Sequence, residues 1–206
     1  MINNEWTNKV KNSKDYKKWV GKCNDFTGAV QFQLLTMMGL KEEHSLLDIG
    51  CGSLRAGKLF IPYLLSGNYH GLEKEKWLID EVVASELGQE LFEMKNPTIK
   101  IGGDFNILQF KKQFDFILCN SVFIHASKSQ IETVFNQIDF VLKRNGKFVF
   151  NFIQGQKDNE SKTWTYPSHV TYTRKTMCDL LKKYNLKYQF VDWWYPGKQQ
   201  WVVIYA

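Results

Sequence analysis

Asp48, Gly50 and Gly52 stand at alternate positions where an apolar run, Leu46-Leu47, ends. Cys51, Ser53, Leu54, Arg55, Ala56 and Gly57 lead from them into an apolar-periodic stretch. The order implied is strand, tight turn, helix. Glycines let such a turn approach a ligand with no Cβ in the way, and the helix that follows begins with unpaired N–H groups. Cofactors of nucleotide type use this geometry, and spacing separates the kinds. A phosphate-binding loop needs Gly-Lys-Ser/Thr, whereas Gly57-Lys58 is followed by Leu59. A dinucleotide turn has its third glycine where this chain carries Arg55, too bulky for close packing of helix on strand. Acid-x-Gly-x-Gly is what remains, with a turn that binds nothing as the alternative.

Two further groups add chemistry. Tyr69-His70-Gly71-Leu72 reads as a second strand ending in Glu73, about 20 residues beyond the turn, where an acid accepts hydrogen bonds from both hydroxyls of a bound ribose. The alternative is an acid stabilised by the start of the helix expected at 76–87. His125 follows a buried-type strand, 114–119, and Asn120-Ser121, on the face where ligands collect in open α/β sheets. Its intrinsic pKa suits general-base work near neutral pH, and a hydrogen-bonded loop histidine is the bland alternative. The aperiodic segment 154–173 carries Trp164, Tyr166, His169 and Tyr172, with Arg174 just beyond. Long aperiodic segments in compact domains tend to be functional loops.

The elements that must position these residues alternate between strand and helix. Apolar spacing predicts helices at 27–40, 54–65, 76–87, 131–141 and 172–184, and strands at 45–49, 69–72, 98–101, 114–119 and 147–153. Lys143-Arg144-Asn145-Gly146 reads as a helix end. A hairpin of strands 187–193 and 200–205, turned by Pro196-Gly197, closes the chain. Residues 1–26, with Trp6, Tyr16 and Trp19, read as a helical lid or extension over the cofactor face, or as a surface helix whose aromatics simply pack.

At 206 residues, 44% hydrophobic and 23% charged, the chain suits one α/β domain, 27–206, after that extension. No apolar run is long enough to span a membrane and the first residues lack a signal-peptide core, so a cytoplasmic location is expected. Cys23, Cys51, Cys119 and Cys178 are scattered, and no clustered ligand set implies a metal. The net charge of +6 invites a nucleic-acid partner, but the cations fall in short groups such as Lys111-Lys112 and Lys182-Lys183. An anionic small substrate or a lysine-rich surface explains the charge as well.

In order and spacing, the turn, Glu73 and Asp104-Phe105 after the third strand resemble the class I S-adenosylmethionine-dependent methyltransferases across 27–206. The resemblance implies a Rossmann-like, doubly wound α/β sheet of seven strands, mostly parallel with an antiparallel last strand. The stretch from Leu47 to Pro62, Gly71-Leu72-Glu73, the block 114–127 and the loop 164–172 look like bacterial methyltransferases of surface and capsular polysaccharide gene clusters, among them those that O-methylate the capsule phosphoramidate group.

By that resemblance Asp48, Gly50, Cys51, Gly52 and Arg55 line the methionine moiety of S-adenosylmethionine, with S-adenosylhomocysteine as product. Glu73 holds the ribose, Trp77 packs over the nucleoside, Asp104 and Phe105 meet the adenine, and Asn120 and Ser121 lie beside the sulfonium. His125 and Tyr172 are the catalytic candidates for a hydroxyl acceptor, with Trp164, Tyr166, His169, Arg174 and Lys198 toward the substrate. Leu54 stands where many members carry a third glycine and is expected to narrow the methionine pocket. The Asn-Pro-Pro-Tyr/Phe motif of amino-base methylation is missing after the fourth strand. The implied partner is a small, sugar- or nucleotide-linked acceptor. A nucleic-acid methyltransferase and a non-catalytic cofactor-binding subunit are the alternatives.

Overall fold

Leu46-Leu47-Asp48-Ile49 is buried along its whole length, the pattern of a strand covered on both faces. The structure, a computed structural model, describes residues 4–20 and 24–206; Cys23 lies outside them. Seven strands form one sheet in the order β3-β2-β1-β4-β5-β7-β6, as expected for the fold. The chain divides into two compact units, the first ending at Gly102 and the second beginning at Gly103.

In the first unit β1 (Leu46–Ile49) pairs in parallel with β2 (Tyr69–Glu73), and β2 with β3 (Thr98–Ile101). Asp48 lies opposite Gly71, where a Cβ would come within 2.8 Å of both Cys51 Sγ and Ile99 Cδ1. Gly71 is therefore a packing requirement of the turn. Helices α1 (Asn4–Asn12) and α2 (Tyr16–Trp19) precede α3 (Asn24–Met37), on which Gly28 meets the Arg55 carbonyl so closely that a Cβ would sit 2.3 Å from its oxygen.

Helix α4 spans Gly57–Tyr63, starting three residues later than expected because Leu54 adopts φ +50, outside the helical region. The helix expected at 76–87 is divided: α5 (Lys76–Val82) passes into a π turn, Val83–Leu87, and Gly88 at φ +87 precedes α6 (Gln89–Lys95). Helix α6 buries no residue, so it carries no apolar stripe for a periodicity reading to find.

Strands β4 (Phe114–Cys119), β5 (Leu142–Ile153), β6 (Lys187–Val191) and β7 (Gln199–Tyr205) belong to the second unit. Strand β4 runs parallel to β5, while β7 is antiparallel to β5 and to β6. Helix α7 (Lys128–Phe135) begins with a capping box on Ser127 and Gln130, and α8 (Ile138–Val141) follows it after a break. The cation-rich Lys143–Gly146 segment is a bulge in β5 rather than a helix end: Phe114 pairs with Leu142, but Phe116 pairs with Lys147. Asn145 takes φ +67 there, and a Cβ on Gly146 would lie 2.7 Å from the Lys143 carbonyl oxygen. Helix α9 (Arg174–Lys183) is capped by Thr173, two residues inside the expected start. Phe123, Phe135, Phe148 and Phe150 interlock in the core, with Phe123 and Phe150 centroids 5.2 Å apart.

Candidate functional site

The turn after β1 takes positive φ at every second residue: Gly50 at +70, Gly52 at +57 and Leu54 at +50. Glycine adopts that conformation freely, whereas at Leu54 it costs on the order of 1 kcal/mol. Leu54 is fully buried, with its Cβ and Cδ2 each 3.0 Å from where a Cβ on Gly57 would sit. Its side chain therefore packs inward on α4, in place of the expected narrowing of a pocket. The N–H groups of Gly50 and Cys51 donate to the Leu72 carbonyl at 2.7 and 3.2 Å, locking the turn to the end of β2.

Glu73, half-buried at the tip of β2, bridges that turn and the start of α5. Its Oε2 accepts from Gly52 N–H at 2.8 Å, and its Oε1 from Lys74 and Glu75 N–H at 2.9 Å each. The local backbone saturates Oε1, so capacity for a ligand hydroxyl is left on Oε2 rather than spread over both oxygens. Burial pushes the Glu73 carboxyl above the usual range, partly offset by those three N–H groups.

Asp48, buried on β1, accepts from the Tyr69 hydroxyl at 2.8 Å. Burial raises its pKa to about 7 against that hydrogen bond, and the Glu73 charge adds to the rise. The buried Cys51 thiol is pushed up by desolvation and by the charges of Asp48 and Glu73. The turn is thus built against two carboxyls that are destabilised by burial and favour a cationic neighbour.

The Arg55 side chain is bonded to the elements that precede the turn. Its Nη1 donates to Thr27 Oγ1 at 3.2 Å and its Nη2 to the Val20 carbonyl, tying α3 and the N-terminal segment to the turn. Val20 Cγ1 lies 3.6 Å from where a Cβ on Gly52 would sit. Lys11 pairs with Glu75, Lys14 with Glu81 and Lys17 with Glu86, which lays the segment along α5. Trp19 meets Trp77 edge-on at 5.6 Å, and the Trp77 indole Nε1 is buried without a hydrogen-bond partner.

In the second unit, Asp104 is exposed and its Oδ1 accepts from Asn106 N–H at 3.1 Å, while Phe105 is buried at φ +58. Gln137 holds this loop: its amide donates to the Phe105 carbonyl at 2.9 Å and accepts from Ile107 and Leu108 N–H. At the tip of β4, Asn151 accepts from Ser121 N–H at 2.6 Å and donates to Asn120 Oδ1 at 2.7 Å. Asn120 Nδ2 in turn donates to the Tyr195 hydroxyl at 2.8 Å, and Ser121 Oγ to Gln199 Oε1 at 3.2 Å. Sequence reasoning missed Gln137, Asn151 and Tyr195. The readable signal for Asn151 was a carboxamide inside the apolar run 148–153.

The loop 154–173 is bonded to the chain leaving β4, with Thr165 N–H on the His125 carbonyl at 3.0 Å and Val170 N–H on that of Ile124 at 2.8 Å. This brings His125 among Tyr166, Trp164 and His169, at centroid distances of 5.0, 5.4 and 4.9 Å, and Trp164 also meets Phe105 at 6.0 Å. His125 Nδ1 lies 2.7 Å from the Ser168 carbonyl oxygen; it carries the hydrogen of that bond, which leaves Nε2 as the basic nitrogen. Burial lowers the His125 pKa to about 4, with the neighbouring His169 adding to the shift and the carbonyl opposing it. The expectation of titration near neutrality is thereby corrected, since a buried imidazole resists charging.

Tyr172, the other catalytic candidate, lies in the core. Its ring is fully buried, its hydroxyl donates to the Ala126 carbonyl at 2.8 Å, and burial raises its pKa further. The exposed Arg174 lays its guanidinium 3.8 Å from the centroid of Phe190 on β6. Lys198 is exposed at φ +57 in the turn before β7. The structure does not bring either cation into the His125 cluster.

Among the described residues no group of three or more His, Cys, Asp or Glu side chains is placed to hold a metal, and no helix is long and apolar enough to cross a membrane. Solved structures share the fold at low identity. Magnesium protoporphyrin IX methyltransferase from Synechocystis PCC 6803, with bound S-adenosylhomocysteine, matches at TM-score 0.68 and 12% identity, over 99% of this chain and 100% of that one. An S-adenosylmethionine-dependent methyltransferase from Clostridium acetobutylicum matches at 0.66 and 12%, over 97% and 98%. A glycopeptide N-methyltransferase complexed with S-adenosylhomocysteine matches at 0.65 and 11%, over 88% and 90%. Residues 47–148, from β1 into β5, match the family model described as a methyltransferase domain. The acid-x-Gly-x-Gly turn and Glu73 lie inside the segment that matches the methyltransferase-domain model, and the fold is the one found in solved structures of S-adenosylmethionine-dependent methyltransferases.

Proposed function

We propose that this methyltransferase acts on an oxygen of a small acceptor, either a sugar hydroxyl or a phosphate-like or phosphoramidate oxygen linked to one, in the making of a bacterial surface polysaccharide. The acceptor class is supported by the sequence resemblance of the turn, the block 114–127 and the loop 164–172. The observation that carries the site is His125, held neutral with Nδ1 committed to a carbonyl among the rings of Trp164, Tyr166 and His169.

The residues present fit the cofactor. Glu73 Oε2 has room for a ribose hydroxyl, the buried Trp77 N–H lacks an acceptor, and Asp48 and Glu73 favour a cation. When bound, the cofactor supplies an electrophilic methyl group on a sulfonium. The turn and Glu73 would hold its methionine and ribose ends, with Asp104 and Phe105 at the adenine. The segment 4–20 would cover the turn, supported by Val20 over Gly52 and by Arg55 on the Val20 carbonyl. Holding reactants in line and excluding water can supply about 7 to 11 kcal/mol of the barrier. For a hydroxyl acceptor, His125 Nε2 takes the proton as the oxygen gains the methyl; an ionised oxygen has none to give. The reading places the reaction in the cytoplasm, where thiols such as Cys51, Cys119 and Cys178 stay reduced.

The test is mass-spectrometric detection of methyl transfer to a panel of nucleotide sugars and sugar phosphates. His125→Ala should cost about 10²- to 10⁴-fold in turnover on a hydroxyl and little on an ionised oxygen. With the His125 pKa at about 4, wild-type activity on a hydroxyl should be flat from about pH 5 to 8. Methyl groups found on amine nitrogen alone would refute the oxygen-acceptor reading.

A further inference from the structure

The carboxamides at the tip of β4 form a chain with a direction. Ser121 N–H can only donate, so Asn151 must turn Oδ1 toward it, at 2.6 Å. Asn151 Nδ2 then points at Asn120, which must answer with its own Oδ1, at 2.7 Å. Asn120 Nδ2 is left facing the Tyr195 hydroxyl at 2.8 Å, and that oxygen accepts. One backbone N–H thus sets the polarity of three side chains. Asn151 is fully buried and Tyr195 nearly so, whereas Asn120 is half-buried. The Asn120 carbonyl oxygen is turned toward the fully buried Asn151, and the amide nitrogen keeps a second hydrogen.

We propose that Asn151 is a positioning residue that fixes Asn120 to present N–H rather than C=O to the reacting group, so that Asn120 selects an acceptor atom bearing lone pairs, an oxygen, over an amine. This rests on the methyltransferase reading, which sets Asn120 beside the sulfonium. An amine about to be methylated keeps its lone pair for the methyl and needs acceptors for its N–H groups. An oxygen about to be methylated needs donors, which is what the fixed amide supplies. Ser121 Oγ is held by the same tip, donating to Gln199 Oε1.

The experiment needs no methyl acceptor. Sinefungin carries an amine where S-adenosylmethionine carries the methyl group, and S-adenosylhomocysteine carries nothing there; both are titrated calorimetrically into the full chain. Wild type is expected to bind sinefungin no more tightly than S-adenosylhomocysteine. Asn120→Asp keeps the bond from Asn151 but offers only acceptors, and should raise the ratio of sinefungin to S-adenosylhomocysteine affinity by about tenfold or more. Asn151→Asp can only accept, so it reverses the Asn120 amide and should raise the same ratio without touching the ligand. Burying its carboxylate endangers the fold, and Asn120→Asp at the half-buried position decides if it does. A wild-type preference for sinefungin, or a smaller rise in Asn120→Asp, overturns the proposal. Failure of wild type to bind S-adenosylhomocysteine at all instead overturns the reading beneath it.

Discussion

Replacing Glu73 by alanine will weaken S-adenosylhomocysteine binding by about 2 to 4 kcal/mol, roughly 30- to 1,000-fold. Each charge-assisted hydrogen bond to a carboxylate contributes about 1.5 to 3 kcal/mol. Glu73 also does more than meet a ligand, because its Oε2 holds Gly52 N–H and its Oε1 the first N–H groups leading into α5. Glu73→Gln separates the two roles. It keeps one oxygen for Lys74 and Glu75, but sets an amide N–H against Gly52 N–H, so that bond is lost while the Gly50 and Cys51 N–H groups stay on the Leu72 carbonyl. Calorimetric titration of both variants should show the loss, larger in alanine. An isotherm unchanged from wild type would remove Glu73 from the site.

The second large effect is on stability against pH. Burial raises the Asp48 pKa from 3.8 to about 7, so the folded state favours the protonated form. The stability this contributes is fully present below pH 3.8 and is lost as pH rises through about 7, some 4 kcal/mol in all. About 2 to 3 kcal/mol of that falls between pH 5 and 8. Glu73, also raised, acts with the same sign. His125, with its pKa lowered, acts with the opposite sign, losing stability as pH falls toward about 4. Comparison of variants therefore isolates Asp48. The carboxamide introduced by Asp48→Asn can still accept from the Tyr69 hydroxyl, and without cofactor this variant should gain Tm over wild type as pH rises from about 5 to 8, by roughly 5 to 10 °C. Parallel melting curves for the two proteins across that range would contradict the assignment.

Much of this was legible in the residues, and the remainder shows what kind of information a sequence holds. Strands 98–101 and 114–119 were read to the residue, because a β-rich or buried run between polar turns has few other forms. The turn was legible from Gly50 and Gly52, but its length was not: nothing marks Leu54 as left-handed until its side chain is seen packed against Gly57. Lys143-Arg144-Asn145-Gly146 carries the signals of a helix end and forms a bulge, since pairing with β4 begins at Leu142 and tertiary contact overrides local preference. Side-chain roles were hardest where burial decides them. Tyr172 and His125 carry reactive groups in the sequence, yet one hydroxyl is bonded in the core and one imidazole is too buried to titrate near neutrality. The Arg55 side chain ties Val20 and Thr27 to the turn, a pairing across more than 25 residues that its place in the turn does not announce. Asn151 acts only through Asn120 and Ser121, a relation that sequence spacing does not encode.

A crystal structure of the full chain with S-adenosylhomocysteine tests the central claim most directly. The account predicts a ribose hydroxyl against Glu73 Oε2 and the amino-acid end on the turn 50–57. Density for the ligand away from Glu73, with that turn bare, would contradict it.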